Sequence, residues 1–369
     1  MPVILFIGHH KVGSTSLQDF LSRNSVALAR AGILYPSVDF EGMSLTLATA
    51  VGTFTPDGAL PINAREPHNA LAFRMMAEIG KGRVPQFHKG LPSTGQMFRA
   101  ILSQIEFIEP HTVILAAEVF ANFAPTDPKL ITRLAKVFPK DDFTVIATLR
   151  RIDEYLASWH GQRLKFDHKL APLRTNGMDE YFHNIHFDYQ LMLKGWLDKM
   201  PNARFILREY SAVMDAGGSV SDFITQTSLE LPQGLTAEQK TNESLHRGIY
   251  EIARRGNHEL PNMLSTKLRR ILRKMTPDLG LPPSGSIELF GVENRQRMVD
   301  RFEPIHAFLG EVSGQIPFFP DLDAARNILP NPESEVFQHA LEGVCQRLDE
   351  IESAEIRDFL TQLRADPGI

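Results

Sequence analysis

The first fifteen residues constrain this chain more than any other part of it. Residues 3–7 are an uninterrupted apolar run ended by Gly8. A strand with apolar side chains on both faces has to be buried on both, as interior strands of parallel sheets are. After Lys11-Val12-Gly13-Ser14-Thr15 the period changes. Leu17, Phe20, Leu21, Leu28 and Ala31 fall at helical spacing, and Gly32 and Pro36 supply a stop. The chain therefore opens as strand, glycine loop, helix. Five apolar residues are too few for a secretion signal or a membrane span. The least polar later stretch, 113–123, is interrupted by Glu118 and Asn122. The expectation is a soluble, cytoplasmic protein with no export signal and no transmembrane segment.

A length of 369 residues allows about two domains or one large α/β domain. The formal charge of −5 gives no basic balance that would call for nucleic acid. With 24 Phe against 6 Tyr, a large dry core is favoured. The single cysteine, Cys345, excludes an internal disulfide framework and a cysteine-based zinc finger, and fits a reducing compartment. Strand patterns at 113–117, 143–149 and 204–207 alternate with helical patterns at 130–137, 152–166 and 189–200. Such alternation predicts a parallel sheet with helices on both faces. Residues 37–98 are rich in Gly, Pro, Thr and Ser and read as a long irregular insertion with one helix near 71–79. It is either a substrate-facing lid or a surface excursion. Beyond 245 the strand signal ends. Helices are expected at 249–253, 264–275, 298–312, 337–348 and 356–363, with a proline-containing linker at 277–290. The expected fold is a three-layer α/β/α domain with a central parallel sheet over 1–260. A helical extension, 261–369, is expected to pack on the same domain.

The loop from Gly8 to Thr15 carries the first chemistry. Backbone N–H groups at a helix N-terminus point outward and the helix dipole favours an anion there. Against the phosphate-loop pattern G-x-x-x-x-G-K-[ST], Gly8, Gly13 and Thr15 match. Ser14 stands at the lysine position, and a lysine occurs three residues earlier, at Lys11. This is a phosphate loop with its cation moved, which argues against ordinary ATP or GTP hydrolysis. The plainer alternative is an N-cap by Ser14 or Thr15 with Lys11 solvated. A second arrangement follows the strand at 143–149: Arg150, then Ser158 and Trp159. An arginine at a strand end offers a forked cation to a phosphate dianion. Ser158 lies about two helical turns further on and meets the same anion only if its helix crosses the site. The plainer alternative for Arg150 is an ion pair with Asp153 or Glu154.

Together these motifs resemble those of sulfotransferases that use 3′-phosphoadenosine 5′-phosphosulfate (PAPS). Lys-x-Gly-[Ser/Thr]-[Ser/Thr] after an N-terminal strand resembles their 5′-phosphosulfate loop. Arg150 with Ser158 eight residues on and Trp159 next resembles their 3′-phosphate motif, with Ile152 where proline is usual. The resemblance spans about 1–260 and implies a fold related to the P-loop nucleoside triphosphate hydrolases. It implies that Lys11 contacts the 5′-phosphate and the bridging oxygen. Val12, Gly13, Ser14, Thr15 and Ser16 would line the 5′-phosphate, and Arg150 and Ser158 would hold the 3′-phosphate. Leu17-Gln18, Gly32-Ile33-Leu34-Tyr35-Pro36 and Asn242-Glu243-Ser244-Leu245 are similar to segments of bacterial carbohydrate-modifying sulfotransferases. Arg254-Arg255-Gly256 superficially resembles the Arg-Lys-Gly loop of cytosolic animal enzymes, but in a helical setting. The implied reaction moves a sulfuryl group from PAPS to a hydroxyl or amine, on a carbohydrate or glycolipid. It releases adenosine 3′,5′-bisphosphate and requires no metal.

In-line transfer of this kind rests on positioning and electrostatic stabilisation, and Lys11 fits the charge stabiliser. The acceptor also needs a proton acceptor. Glu118 is the first candidate, because it ends the strand at 113–117, where ligands sit in open α/β sheets. Its plainer role is a carboxylate holding a loop N–H or an arginine. His10 is the second candidate and His160 the third. Lys267, Arg269, Arg270, Arg273 and Lys274 read by default as a solvated or ion-paired helix face that acidic residues in 333–355 neutralise. A glycan or membrane-surface contact is the alternative. A homo-oligomer is allowed. A P-loop-type kinase or NTPase, which needs a lysine at position 14, and a non-catalytic nucleotide- or glycan-binding module remain as alternatives.

Overall fold

Five parallel strands frame the computed structural model, which describes residues 1–138, 142–239 and 244–366. They are β1 (Pro2–Phe6), β2 (Ile33–Leu34), β3 (Thr112–Ala116), β4 (Asp142–Leu149) and β5 (Arg204–Glu209). Their order is β2-β3-β1-β4-β5, every pair parallel, with Ile4 beside both Ile114 and Thr144. The mixed α/β class expected from the alternating patterns is present. β1 is the central strand, and Val3, Ile4, Leu5 and Phe6 are all buried. Ile4 and Phe6 join Ile114, Ala116 and Ile146 in a core with Leu17, Phe20 and Leu21 of the first helix, Ser14–Arg23. Phe223 of the helix Ser219–Thr227 completes that core. Each large aliphatic or aromatic side chain buried here contributes roughly 1.5–3 kcal/mol. That two-sided burial is the physical reason for the unbroken apolar run at 3–7.

Several elements depart from the sequence pattern. The helix expected to continue to Ala31 is two helices, Ser14–Arg23 and Ser25–Arg30. Between them Asn24 donates to the carbonyls of Phe20 and Thr236, both at 2.8 Å. Side-chain amides that bond the backbone compete with helix continuation. β2 leaves no mark in the sequence pattern, because two residues carry no periodicity. Residues 37–98 do contain the helix expected near 71–79, as Pro67–Glu78, but are more helical than their composition suggests. They form the helices Phe40–Ala50, Ile62–Arg65 and Pro67–Glu78 and begin a fourth, Thr94–Ile108. The starting signals are local: Asp39 accepts the Gly42 N–H at 2.9 Å, Pro67 takes a first-turn position, and Ser93 and Gln96 form a capping box.

The chain forms two compact units that interleave along the sequence. One comprises Met1–Arg151, Asp188–Asn242 and Pro304–Pro320 and holds the sheet. The other comprises Ile152–Phe187, Glu243–Glu303 and Asp321–Ile369. Residue 260, the expected end of the α/β domain, falls inside the second unit. The chain makes the excursion 152–187 before it returns to supply β5.

The second unit is mainly helical, with a two-residue parallel pair, β6 (Ile287–Glu288) and β7 (Asn331–Pro332), inside what was expected to be strandless. Its buried Arg295 donates to Glu288 at 2.7 Å and to the Ala325 carbonyl at 2.7 Å. The five cations read as a solvated or ion-paired helix face divide between the two: Arg270, Arg273 and Lys274 are exposed, and Arg269 and Lys267 are ion-paired. On the helix Asn262–Met275, Arg269 is buried, lies 2.6 Å from Asp167 and donates to Asn257 Oδ1 at 2.5 Å. Lys267 does pair with the acidic tail, 3.6 Å from Glu352. Arg254-Arg255-Gly256 is helical, within Tyr250–Glu259, with Arg254 bonded to Glu251 at 2.7 Å and Arg255 to Glu259 at 2.5 Å. Ser244 and Leu245 of the Asn-x-Ser-Leu segment are described, whereas Asn242 and Glu243 lie outside the described residues.

Glu333 tests the electrostatics of this unit. It pairs with Arg174 at 2.5 Å, beside a small cavity also lined by His160, Glu251 and Arg254. Burial pushes its carboxyl from the usual 4.5 up to about 7, against the pull of Arg174. The folded state then holds a proton that the unfolded state has released. Stability attributable to Glu333 is full below about pH 4.5 and is lost as pH rises to about 7. The loss is roughly 3 kcal/mol for a shift of this size. Urea unfolding of Glu333→Gln should show that fall removed between those pH values; an unchanged slope would place the group elsewhere on the titration.

Candidate functional site at the carboxyl edge of the sheet

In the first unit, the carboxyl ends of β3, β1 and β4 bring Glu118, the glycine loop and Arg150 to one edge. Pairing continues past the strands. Ala117 N–H donates to the Phe6 carbonyl at 2.9 Å, Thr148 N–H to Gly8 at 2.6 Å and His9 N–H to Thr148 at 2.7 Å. Gly8 has φ +96°, and a Cβ there would lie 3.0 Å from Glu118 Cα. Only glycine suits both the left-handed backbone and this close approach. The loop is thus laced to Glu118 on one side and to Thr148, two residues before Arg150, on the other.

The loop then closes onto the first helix. Lys11 has φ +62° and Gly13 has φ +83°. Gly13, not Ser14 or Thr15, is the N-cap, and no side chain caps this terminus. The first turn contains no acid. Its N–H groups and dipole therefore present positive potential without a built-in anion. Ser219 Oγ donates to the Val12 carbonyl at 3.1 Å, and a Cβ on Gly13 would sit 2.0 Å from that oxygen. Ser219 is held in turn by its own helix, where Asp222 accepts from Arg208 of β5 at 2.7 Å. Within the loop, Val12 and Ser14 are buried, and Thr15 and Ser16 are half-buried.

Arg150 follows β4 directly. Its guanidinium lies 4.9 Å over the Tyr210 ring, and its carbonyl accepts from Tyr189 OH at 2.8 Å. The Tyr189 ring also lies 5.4 Å from His9. His10 N–H donates to His9 Nδ1 at 2.7 Å, and His10 Nε2 lies 3.4 Å from Asn122 Nδ2. Burial first, and then the charge of Lys11, pushes the His10 imidazole down to about 4, so it is neutral at pH 7. Sequence reasoning did not find Ser219, Tyr189 or Tyr210, because each reaches the loop from a distant segment with no motif of its own.

Glu118 opens a short 3-10 turn, Glu118–Asn122, and has a companion that the sequence did not announce. Asn69 Nδ2 donates to Glu118 Oε1 at 3.1 Å and to Glu66 Oε2 at 3.0 Å. Glu66 Oε1 accepts from Arg65 at 2.6 Å. Burial first, and then the charge of Glu118, raises the Glu66 carboxyl above its ordinary range. Tyr35, from the Gly-Ile-x-Tyr-Pro segment, is buried against the same pair, and its phenol is pushed well up by burial, Glu66 and Glu118. His68 fixes the arrangement. Its Nδ1 accepts the Ala116 N–H at 3.2 Å, tying Pro67–Glu78 to the end of β3, and burial holds its imidazole down at about 3. Glu118 Oε2 is buried with no hydrogen-bond partner among the described residues. One oxygen of this carboxylate is oriented and the other is left with unused accepting capacity.

Ser158 and His160 belong to the second unit. Ser158 is half-buried on the helix Ile152–Lys165, next to Trp159, which stacks on His186 at 4.0 Å. His160 is buried, with Nδ1 3.1 Å from Tyr181 OH, and burial pushes it down to about 3. Those features describe a core histidine. Among the described residues, no group of three or more His, Cys, Asp or Glu could hold a metal, and no helix is long and apolar enough to cross a membrane.

No protein-family model matches the chain, and no solved structure matches it. A stretch of 149 residues, 40% of the chain, is 27% identical to an uncharacterized protein of Archaeoglobus fulgidus. The matched stretch spans 39% of that archaeal protein.

The loop's dependence on Gly13 can be measured directly. Gly13→Ala combines a left-handed φ with overlap on Ser219 Oγ and should cost on the order of 1–3 kcal/mol. Adding Ser219→Gly should recover the overlap component and leave the backbone component. Denaturant melts of the two variants check this, and equal losses in both would show that Ser219 does not crowd position 13.

Proposed function

We propose that this protein is a PAPS-dependent sulfotransferase acting on a hydroxyl or amine, on a carbohydrate or glycolipid acceptor. The observation that carries the reading is the meeting of three features on adjacent parallel strands: an uncapped helix N-terminus, Lys11 in its loop, and Arg150 at the next strand's end. We read the first unit accordingly as a three-layer α/β/α domain of the P-loop kind. The donor's two phosphate ends need two separate cationic sites, and Lys11 and Arg150 supply one each. The N–H groups beginning the first helix would receive the 5′-phosphate with Ser14, Thr15 and Ser16. Ser158 enters on the motif resemblance alone. The one cysteine, Cys345, is buried and free and agrees with a reducing, cytoplasmic setting.

In this reading Glu118 accepts the acceptor's proton as its oxygen or nitrogen bonds to sulfur. The bond from sulfur to the donor's bridging oxygen breaks, and Lys11 stabilises the charge left on the phosphate. Asn69 orients the Glu118 carboxylate. Glu66, with its raised proton affinity, limits the negative charge facing the donor. His10 is a weaker choice of base, since its imidazolium is disfavoured by burial and by Lys11. A kinase or NTPase would need a cation where Ser14 stands. A non-catalytic module would bind the nucleotide and transfer nothing.

Calorimetry with adenosine 3′,5′-bisphosphate beside ADP distinguishes these readings. The bisphosphate should bind at least about tenfold tighter, since it offers Arg150 a second charged hydrogen-bonding partner. Binding of ADP as tightly as the bisphosphate would sink the sulfotransferase reading. Lys11→Ala and Arg150→Ala should each weaken bisphosphate binding by about tenfold or more. Glu118→Gln should keep donor binding and lower sulfate transfer by about 100-fold. Full transfer by that variant would move the base elsewhere.

A further inference from the structure

The helix Phe40–Ala50 faces the wrong way round. Its small and hydroxyl-bearing side packs on the protein: Gly42, Leu45, Thr46 and Thr49 line a crevice with Tyr35 and Pro67. Thr46 Oγ1 lies 3.3 Å from Ser37 Oγ, and a Cβ at Gly42 would lie 3.2 Å from the same serine. Its large apolar side faces outward. Phe40 is 81% exposed, Met43 38%, Leu47 64% and Val51 64%. The spacing i, i+3, i+7, i+11 sets them in one stripe. A helix that merely covers a sheet would bury that stripe and expose its threonines.

The stripe does not stand alone. Phe40 and Glu41 form one wall of a cleft of about 360 Å³, and Phe87 and Lys89 are on its other side. Phe87 is itself largely exposed. Lys81 and Arg83 are exposed on the same loop as Phe87 and Lys89. Residues 79–93 thus carry three cations and no acid, in a chain of net charge −5; Lys89 lines the cleft itself, opposite Glu41 and the buried helix cap Asp39. The four stripe side chains expose on the order of 400 Å² of apolar surface. That is about half of the ~800 Å² that each partner of a stable protein pair buries. A bilayer requires no such matched area. It accepts a protruding apolar stripe and attracts a cationic fringe when its headgroups are anionic.

We propose that the helix Phe40–Ala50, with the 81–89 loop, docks this protein onto an anionic lipid surface, seating Phe40, Leu47, Val51 and Phe87 at the headgroup boundary. The docking is independent of the transfer reaction and of the cations on the helix Asn262–Met275.

The test is co-sedimentation of the full chain with phosphatidylcholine vesicles, with and without phosphatidylglycerol, at low and high salt. Wild type should bind the anionic vesicles, and salt should weaken that binding. Phe40→Ser/Leu47→Ser/Val51→Ser should lower it by at least about tenfold. Lys81→Glu/Arg83→Glu/Lys89→Glu should lower it by on the order of 100-fold while retaining the fold by circular dichroism. Phe40→Trp gives a readout that needs no loss of function: its emission should shift to the blue on the anionic vesicles. The proposal fails if wild type ignores both vesicle types, or if neither multiple variant changes binding. It also fails if sedimentation finds a dimer that the serine variant dissolves, since a second copy would then cover the stripe.

Discussion

The carboxyl edge of the sheet depends on how closely β1 runs against its neighbours just beyond its last residue. At Gly8 the main chain lies near enough to Glu118 that no side chain fits between them, while its carbonyl takes the Thr148 N–H at 2.6 Å. This contact lets an acidic residue and a cation-bearing loop share one edge without an intervening layer. It also explains why the loop can be short. With both flanks pinned, Lys11 and Gly13 can hold left-handed backbone that a looser loop would relax.

A second constraint comes from the polar groups sealed beside that edge. Glu66, Tyr35, His68 and Asn69 are all buried, and burying such groups is costly unless they satisfy one another. Asn69 does so by donating to both carboxylates, and His68 Nδ1 meets a main-chain group instead, the Ala116 N–H. The helix Pro67–Glu78 is therefore locked to β3 through polar contacts as well as apolar ones. Ser219 plays the matching part on the far side of the loop, under the control of the Arg208–Asp222 pair.

Much of this was legible in the residues. Two-sided burial wrote itself into residues 3–7, and the change of period after Gly13 marked the helix. Glu118 stood out because it follows apolar positions with no polar alternation. The plainer alternative, an N-cap by Ser14 or Thr15, rests on residue type alone, and a left-handed Gly13 takes the position instead. The helix Phe40–Ala50 was hidden because its inward side is Gly and Thr and its outward side is apolar, the reverse of the pattern that reveals a surface helix. Asn69, Glu66 and Ser219 were illegible for another reason. Each acts through a contact with a residue 49 or more positions away, as with Asn69 and Glu118, or 207 away, as with Ser219 and Val12. Apart from the 66–69 pairing itself, no local pattern records such distances.

The two hydrogens of one amide carry an evolutionary consequence at Asn69. An aspartate has nearly the same shape, and a single deamidation would produce it. Yet aspartate offers no hydrogen to either neighbour and would gather three carboxylates in a buried space. At this position the change gentlest in volume is the harshest in charge. An aspartate there is far less costly once Glu66 or Glu118 has been exchanged for an uncharged residue, so the identity of each of the three sets what the other two can be.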